Sequence, residues 1–170
     1  MKYFSGFTCR DEQYLFEEFI DKSEFSICGF SYGAQKALNK ALNSTSRVDK
    51  LQLFSPAIFQ NRSEKFKKLQ LKLYNANSAL YVQNFRINSY SPQPYDEDIL
   101  LSAHNEDELR ELLYYEYSKN DLQELERRGV DIEVYYSCSD KITTCKDVKD
   151  IFLDYATLYE IKSANHFLML

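Results

Sequence analysis

Glycine occurs four times in this chain of 170 residues, histidine twice, proline three times and tryptophan not at all. Every turn that needs positive φ or a close backbone approach must draw on four positions, and every imidazole role on two. Long apolar runs are missing as well. No stretch approaches the roughly eighteen apolar residues that cross a bilayer, which excludes a membrane-spanning helix. The first twenty residues carry Lys2, Arg10, Asp11, Glu12, Glu17 and Glu18, leaving no room for the apolar centre of a secretory signal. The four cysteines, Cys9, Cys28, Cys138 and Cys145, show no C-x-x-C spacing. The expectation is therefore no metal site and no disulfide framework, but reduced thiols in the cytoplasm.

What is present is ordinary in bulk: 44% hydrophobic and 28% charged residues, enough for one domain around one core. The net charge of -5 argues against nucleic acid as the main partner, because phosphate binding needs a basic surface. One island runs the other way. Between residues 61 and 72 stand Arg62, Lys65, Lys67, Lys68 and Lys72 against Glu64 alone, a surface suited to steering a negatively charged partner.

Apolar periodicity predicts strands at residues 2–4, 25–28, 51–54, around Ile132, Val134 and Tyr136, and at 157–161. Between them a helix over 11–22 places Leu15, Phe16, Phe19 and Ile20 on one face. A second helix beyond Gly33 repeats Ala34, Ala37, Leu38, Ala41 and Leu42 at helical spacing, and a third covers 146–155. Strands separated by helices imply an α/β fold with a mostly parallel sheet of about five strands. Residues 57–128 break the alternation. They carry helical patterns, with Phe66, Leu69 and Leu73 as one apolar face and Asn105 with Glu108 as a capping pair, but no strand. A structureless loop of that length is improbable in a compact domain, so this stretch is expected to be a helical lid inserted into the single domain 1–170.

Chemistry enters with Gly29-Phe30-Ser31-Tyr32-Gly33, a G-x-S-x-G pattern at the junction of a short strand and a strong helix. A serine in a strained strand-to-helix turn needs small neighbours two residues to either side, and the turn lifts its hydroxyl clear of the sheet. Cys28 is the rival nucleophile by type but lies within the apolar strand. A serine nucleophile needs a base. His166 follows the last strand and His104 precedes a lid helix, so His166 is the candidate base. Asp140, just past the fourth strand, is the candidate acid; Asp147 and Asp150 fall inside the next helix. Ser31, Asp140 and His166 then stand in the nucleophile, acid, base order of α/β hydrolases, each at the end of a different strand. The backbone N–H of Tyr32 and that of Phe7, in the turn after the first strand, are the candidate oxyanion donors. Gly6 beside Phe7 is expected to let the backbone approach the reacting carbonyl.

These residues resemble a reduced α/β-hydrolase fold. The two dozen residues between Gly6 and Ser31 leave no room for the strand and helix that usually separate oxyanion loop from elbow. The opening Tyr3-Phe4-Ser5-Gly6-Phe7, the elbow Gly29-Phe30-Ser31-Tyr32-Gly33-Ala34 and the closing Asn165-His166-Phe167 resemble the compact pimeloyl-acyl-carrier-protein methyl ester esterases of biotin synthesis (BioV type). That resemblance implies a serine carboxylesterase without cofactor, acting on a pimeloyl methyl ester borne by acyl carrier protein. It gives the basic island a purpose, with Arg62, Lys65, Lys68 and Lys72 as the docking residues for an acidic carrier. The same site read from the residues alone also allows a thioesterase or acyltransferase, and a non-catalytic hydrolase-like binding domain.

Overall fold

The computed structural model of the chain describes residues 1–95 and 101–170. Its frame is one sheet of five parallel strands lying side by side in sequence order: β1 (Lys2–Phe4), β2 (Ser26–Phe30), β3 (Lys50–Phe54), β4 (Asp131–Tyr136) and β5 (Thr157–Glu160). The α/β expectation and the five strand positions hold.

The period of two along the strands divides their side chains between two faces. Ile27, Leu51, Leu53, Ile132 and Val134 share one face, packed beneath α1 (Tyr32–Leu42), α5 (Lys119–Arg127) and α6 (Cys145–Phe152). α1 lies close because its inner face is small: Ala34, Ala37 and Ala41, with Leu38, are fully buried. Each large aliphatic side chain buried here contributes about 1.5–3 kcal/mol relative to exposure.

The opposite face is built differently. Cys28, Phe30, Phe54 and Tyr135 form an aromatic layer with Phe16 and Phe167. The helix expected over 11–22 is only a 3-10 helix at Glu12–Phe16. Its bonds close at i→i+3, Glu17 N–H donating to the Tyr14 carbonyl at 3.3 Å, and ring packing rather than a helical ladder guides the chain beyond it. Phe16 stacks on Phe54 with ring centroids 4.7 Å apart. Within this face Glu133 is held by three donors: Lys50 Nζ at 2.6 Å, Gln52 Nε2 at 2.7 Å and the Tyr135 hydroxyl at 3.0 Å. Burial alone raises a carboxyl pKa, but these bonds outweigh it and hold Glu133 below the usual carboxylate range. A depressed native pKa stabilises the fold above the unfolded value of about 4.3 and loses that contribution as pH falls through the native value. Glu133→Gln is therefore expected to cost about 1–2 kcal/mol at pH 7 in urea unfolding, with the gap from the parent closing toward pH 3.

Between β3 and β4 run α2 (Glu64–Ala76), α3 (Ser78–Tyr90) and α4 (Glu106–Tyr114), followed by α5. Side-chain oxygens of Ser63, Asn77 and Asn105 accept from the N–H groups of Phe66, Leu80 and Glu108, capping α2, α3 and α4. The stretch expected as one lid contains two kinds of helix. Leu122 and Leu125 of α5 join the core under α1, whereas Leu71, Tyr74, Val82, Leu109 and Leu112 of α2 to α4 form a separate cluster with Phe7 and Tyr32. Residues 96–100 of that stretch lie outside the described residues. On α2 the apolar face also differs from expectation: Leu71 and Tyr74 are buried with Lys67, while Leu69 and Leu73 are each 48% exposed. Lys67 is kept inside by the Tyr114 ring, 5.0 Å from its ammonium.

The thiols differ from expectation at one pair. Cys138 and Cys145 are disulfide-bonded, with Cα atoms 4.8 Å apart, because the loop after β4 turns back before α6; Cys9 and Cys28 are free and buried. No helix among the described residues is long and apolar enough to cross a membrane.

Candidate active site

Ser31 sits between the last residue of β2 and the first of α1, with φ 53° and ψ -114°. A non-glycine residue there is strained by about 1–3 kcal/mol, and surrounding structure must impose it. Its N–H donates to the Phe54 carbonyl at 2.9 Å, and its carbonyl accepts from Ala34 N–H at 3.1 Å. The flanking glycines are required sterically. A Cβ on Gly29 would stand 2.2 Å from the Gly33 carbonyl oxygen, and one on Gly33 would stand 2.0 Å from that of Phe4. At Gly6 a Cβ would meet the Phe30 ring at 2.6 Å.

The loops after β4 and β5 bring two more side chains to the same sheet edge. His166 Nε2 lies 2.8 Å from Ser31 Oγ, and its Nδ1 lies 2.7 Å from Asp140 Oδ2. With a carboxylate as acceptor, Nδ1 carries the proton and Nε2 is free to accept from the serine hydroxyl, a tautomer assigned from the network. Asp140 is fixed by its other oxygen, which accepts from Ile142 N–H at 2.7 Å and Thr143 N–H at 3.4 Å. His166 is also fixed from α3, since its backbone N–H donates to the Ser89 carbonyl at 2.9 Å. Ser89 lies in the last turn of α3, where carbonyls lack intrahelical partners. Ser31 and His166 are both 1% exposed.

The rival groups lie elsewhere. His104 Nδ1 pairs with the Tyr74 hydroxyl at 2.7 Å, and Asp147 Oδ2 accepts from the α6 cap Thr144 at 2.7 Å. Burial pushes the Cys28 thiol up to about 12, far from a thiolate. Tyr32 is the first residue of α1, where its N–H has no partner within the helix. Its phenol is raised by burial and then by Glu111, whose Oε2 accepts from it at 2.5 Å. Arg62, Lys65, Lys68 and Lys72 are all exposed, and Lys68 pairs with Glu64 at 3.5 Å. Among the described residues, Cys138, Cys145 and Glu160 are the one group close enough to share a metal ion, but the two sulfurs are bonded to each other.

A small cavity of about 10 Å³, the scale of a single water, is shared by Ser31, His166, Phe7, Thr8, Phe85, Arg86 and Ser89 among others. Sequence reasoning reached Ser31, His166 and Phe7 and missed the rest. Thr8 carries no motif, and α3 has almost no amphipathic pattern to single out Phe85, Arg86 or Ser89. Phe85 also lines a wider groove of 270 Å³ between α2 and α3, which opens beside exposed Leu73 and Leu80.

No protein-family model matches the chain, and no curated protein matches it in sequence. Solved structures do match. An esterase from Exiguobacterium antarcticum superposes with a TM-score of 0.60 at 16% identity, covering 81% of this chain and 57% of that one. BioG from Haemophilus influenzae superposes at 0.60 and 14% identity, over 97% of this chain and 87% of its own. A hydrolase from Oleispira antarctica reaches 0.66 at 12% identity, over 84% and 58%. The chain has the α/β-hydrolase fold. The chain spans little more than half the length of the Exiguobacterium esterase and most of BioG. In this frame the loops that carry Ser31, Asp140 and His166 leave the sheet at its carboxyl edge, and the backbone of His166 is bonded to Ser89 of α3.

Proposed function

We propose that this protein is a serine carboxylesterase that hydrolyses the methyl ester of a pimeloyl chain carried on acyl carrier protein. The observation that carries the reading is the hydrogen-bonded relay from Asp140 through His166 to a strained Ser31, at 2.7 and 2.8 Å. In this reading Ser31 Oγ attacks the ester carbonyl while His166 Nε2 takes its proton, and Asp140 steadies the imidazolium. The N–H groups of Phe7 and Tyr32 receive the developing oxyanion. Collapse expels methanol, protonated by His166. A water deprotonated by the same nitrogen then releases the carboxylate from Ser31. The balance is ester plus water to carboxylic acid plus methanol, with no cofactor.

The substrate clause is supported by the opening, elbow and closing motifs and by the likeness in fold to BioG over nearly the whole chain. The surface of α2 supports the carrier: Lys65, Lys68 and Lys72 project into solvent around exposed Leu69 and Leu73, with Arg62 one turn earlier. The groove that begins at Leu73 and ends on Phe85 offers the tethered chain a route toward Ser31. A hydrolysis assay comparing carrier-bound dicarboxylate methyl esters of different length tests reaction and substrate together. The pimeloyl ester should be cleaved fastest, with methanol rather than a free thiol as product. Reversing Lys65, Lys68 and Lys72 to glutamate should slow the carrier-bound reaction about tenfold or more at low salt and a small free ester far less. Equal slowing of both removes the docking role.

A further inference from the structure

Thr8 stands out against its backbone. Cys9 N–H donates to the Gly6 carbonyl at 3.1 Å, closing a tight turn whose third residue is Thr8, at φ 63°. That place ordinarily takes glycine or asparagine, and a β-branched residue at positive φ is a genuine outlier. The turn is pinned from outside by Ser102 N–H, which donates to the Thr8 carbonyl at 3.0 Å. Nothing in the backbone calls for threonine.

The side chain offers a reason. Thr8 is 2% exposed, and its Oγ1 has no hydrogen-bond partner among the described residues. An unpaired buried hydroxyl costs the fold its desolvation, and whereas Ser26, Ser55 and Tyr117 also carry one, Thr8 alone of these four lines the cavity at Ser31. Thr8 shares with Ser31, His166 and Phe7 the cavity that holds a single water-sized group. One atom of a substrate fits that description: the carbonyl oxygen of the acyl group under attack.

We propose that Thr8 is a third oxyanion donor, its Oγ1 hydroxyl donating to the substrate carbonyl oxygen as negative charge develops there, beside the N–H groups of Phe7 and Tyr32. This rests on Ser31 being the nucleophile. A hydroxyl aimed at charge that exists only in the transition state lowers that barrier more than it tightens substrate binding.

The test uses the full chain, a small p-nitrophenyl ester and a boronic acid that mimics the tetrahedral adduct. Thr8→Val keeps the shape and removes the donor. Its kcat should fall about 10- to 100-fold with KM within about twofold, and boronic acid affinity should fall in step. Thr8→Ser restores the hydroxyl and should recover the rate to within about threefold. Thr8→Gly relieves the strain, and should melt no lower than the parent while remaining as slow as Thr8→Val. Parental kcat in Thr8→Val, or a Thr8→Ser variant as slow as Thr8→Val, overturns the proposal. If Ser31→Ala keeps its turnover, the nucleophile reading and this inference fall together. If Ser31→Ala is inactive while Thr8→Val is fast, only the Thr8 role falls.

Discussion

Ser31→Ala should lower ester hydrolysis by at least about a thousandfold while leaving the melting temperature within a few degrees of the parent. The change deletes one oxygen whose partner is His166 Nε2 at 2.8 Å and leaves the backbone bonds of the turn in place. Alanine meets the same positive φ that serine already endures, so the fold is not asked for anything new. His166, Asp140 and the backbone N–H groups would persist, and any residual rate would measure what they achieve with water alone. Steady-state kinetics on a short acyl ester and a thermal melt decide it. A folded variant with more than about a tenth of the parental rate removes Ser31 from the chemistry. Covalent labelling by a fluorophosphonate gives an independent reading, because only an activated serine reacts; absence of label on the folded parent favours a non-catalytic role.

Gly33→Ala should be strongly destabilising. Its new Cβ would sit 2.0 Å from the carbonyl oxygen of Phe4 and 2.6 Å from that of Ser5, both backbone atoms that no rotamer change can move. Relief requires α1 to back away from β1, uncovering Phe4 and the alanine face at once. A loss of about 3–5 kcal/mol follows, which lowers the melting temperature by roughly 6–20 °C in a chain of this size. Gly129→Ala is the control. Gly129 has φ 76° with nothing within 4 Å of a Cβ, so it loses only the left-handed backbone penalty of about 1–2 kcal/mol. Equal losses at the two positions would mean that steric contact is not what Gly33 avoids.

The sheet and the relay were legible because both rest on short-range signals. Apolar period marks the strands, small residues mark the elbow, and parallel strands deliver their trailing loops to one edge. With two histidines in the chain, the choice of His166 over His104 needed little more than its place after β5. Features set by three-dimensional packing were not legible. The 3-10 helix at Glu12–Phe16 carries helical spacing, yet the stacking of Phe16 on Phe54 decides its path. On α2 the spacing of Phe66, Leu69 and Leu73 suggests a buried stripe, but the helix is rotated so that Leu71 and Tyr74 face in. The rings packed against buried Tyr74 are those of Tyr81 on α3, 5.7 Å away, and His104, 5.6 Å away. Thr8, Arg86 and Ser89 belong to the same class: their neighbours are set by a loop and a helix meeting over Ser31, which no local pattern records.

The bond from His166 N–H to the carbonyl of Ser89 ties the histidine loop to the helix that roofs it. Ser31 and His166 are each 1% exposed, and Ser89 lines the same small cavity as both of them. Any displacement of α3 would take with it the acceptor that places the imidazole. The position of the imidazole and the position of α3 are therefore coupled through a single backbone bond.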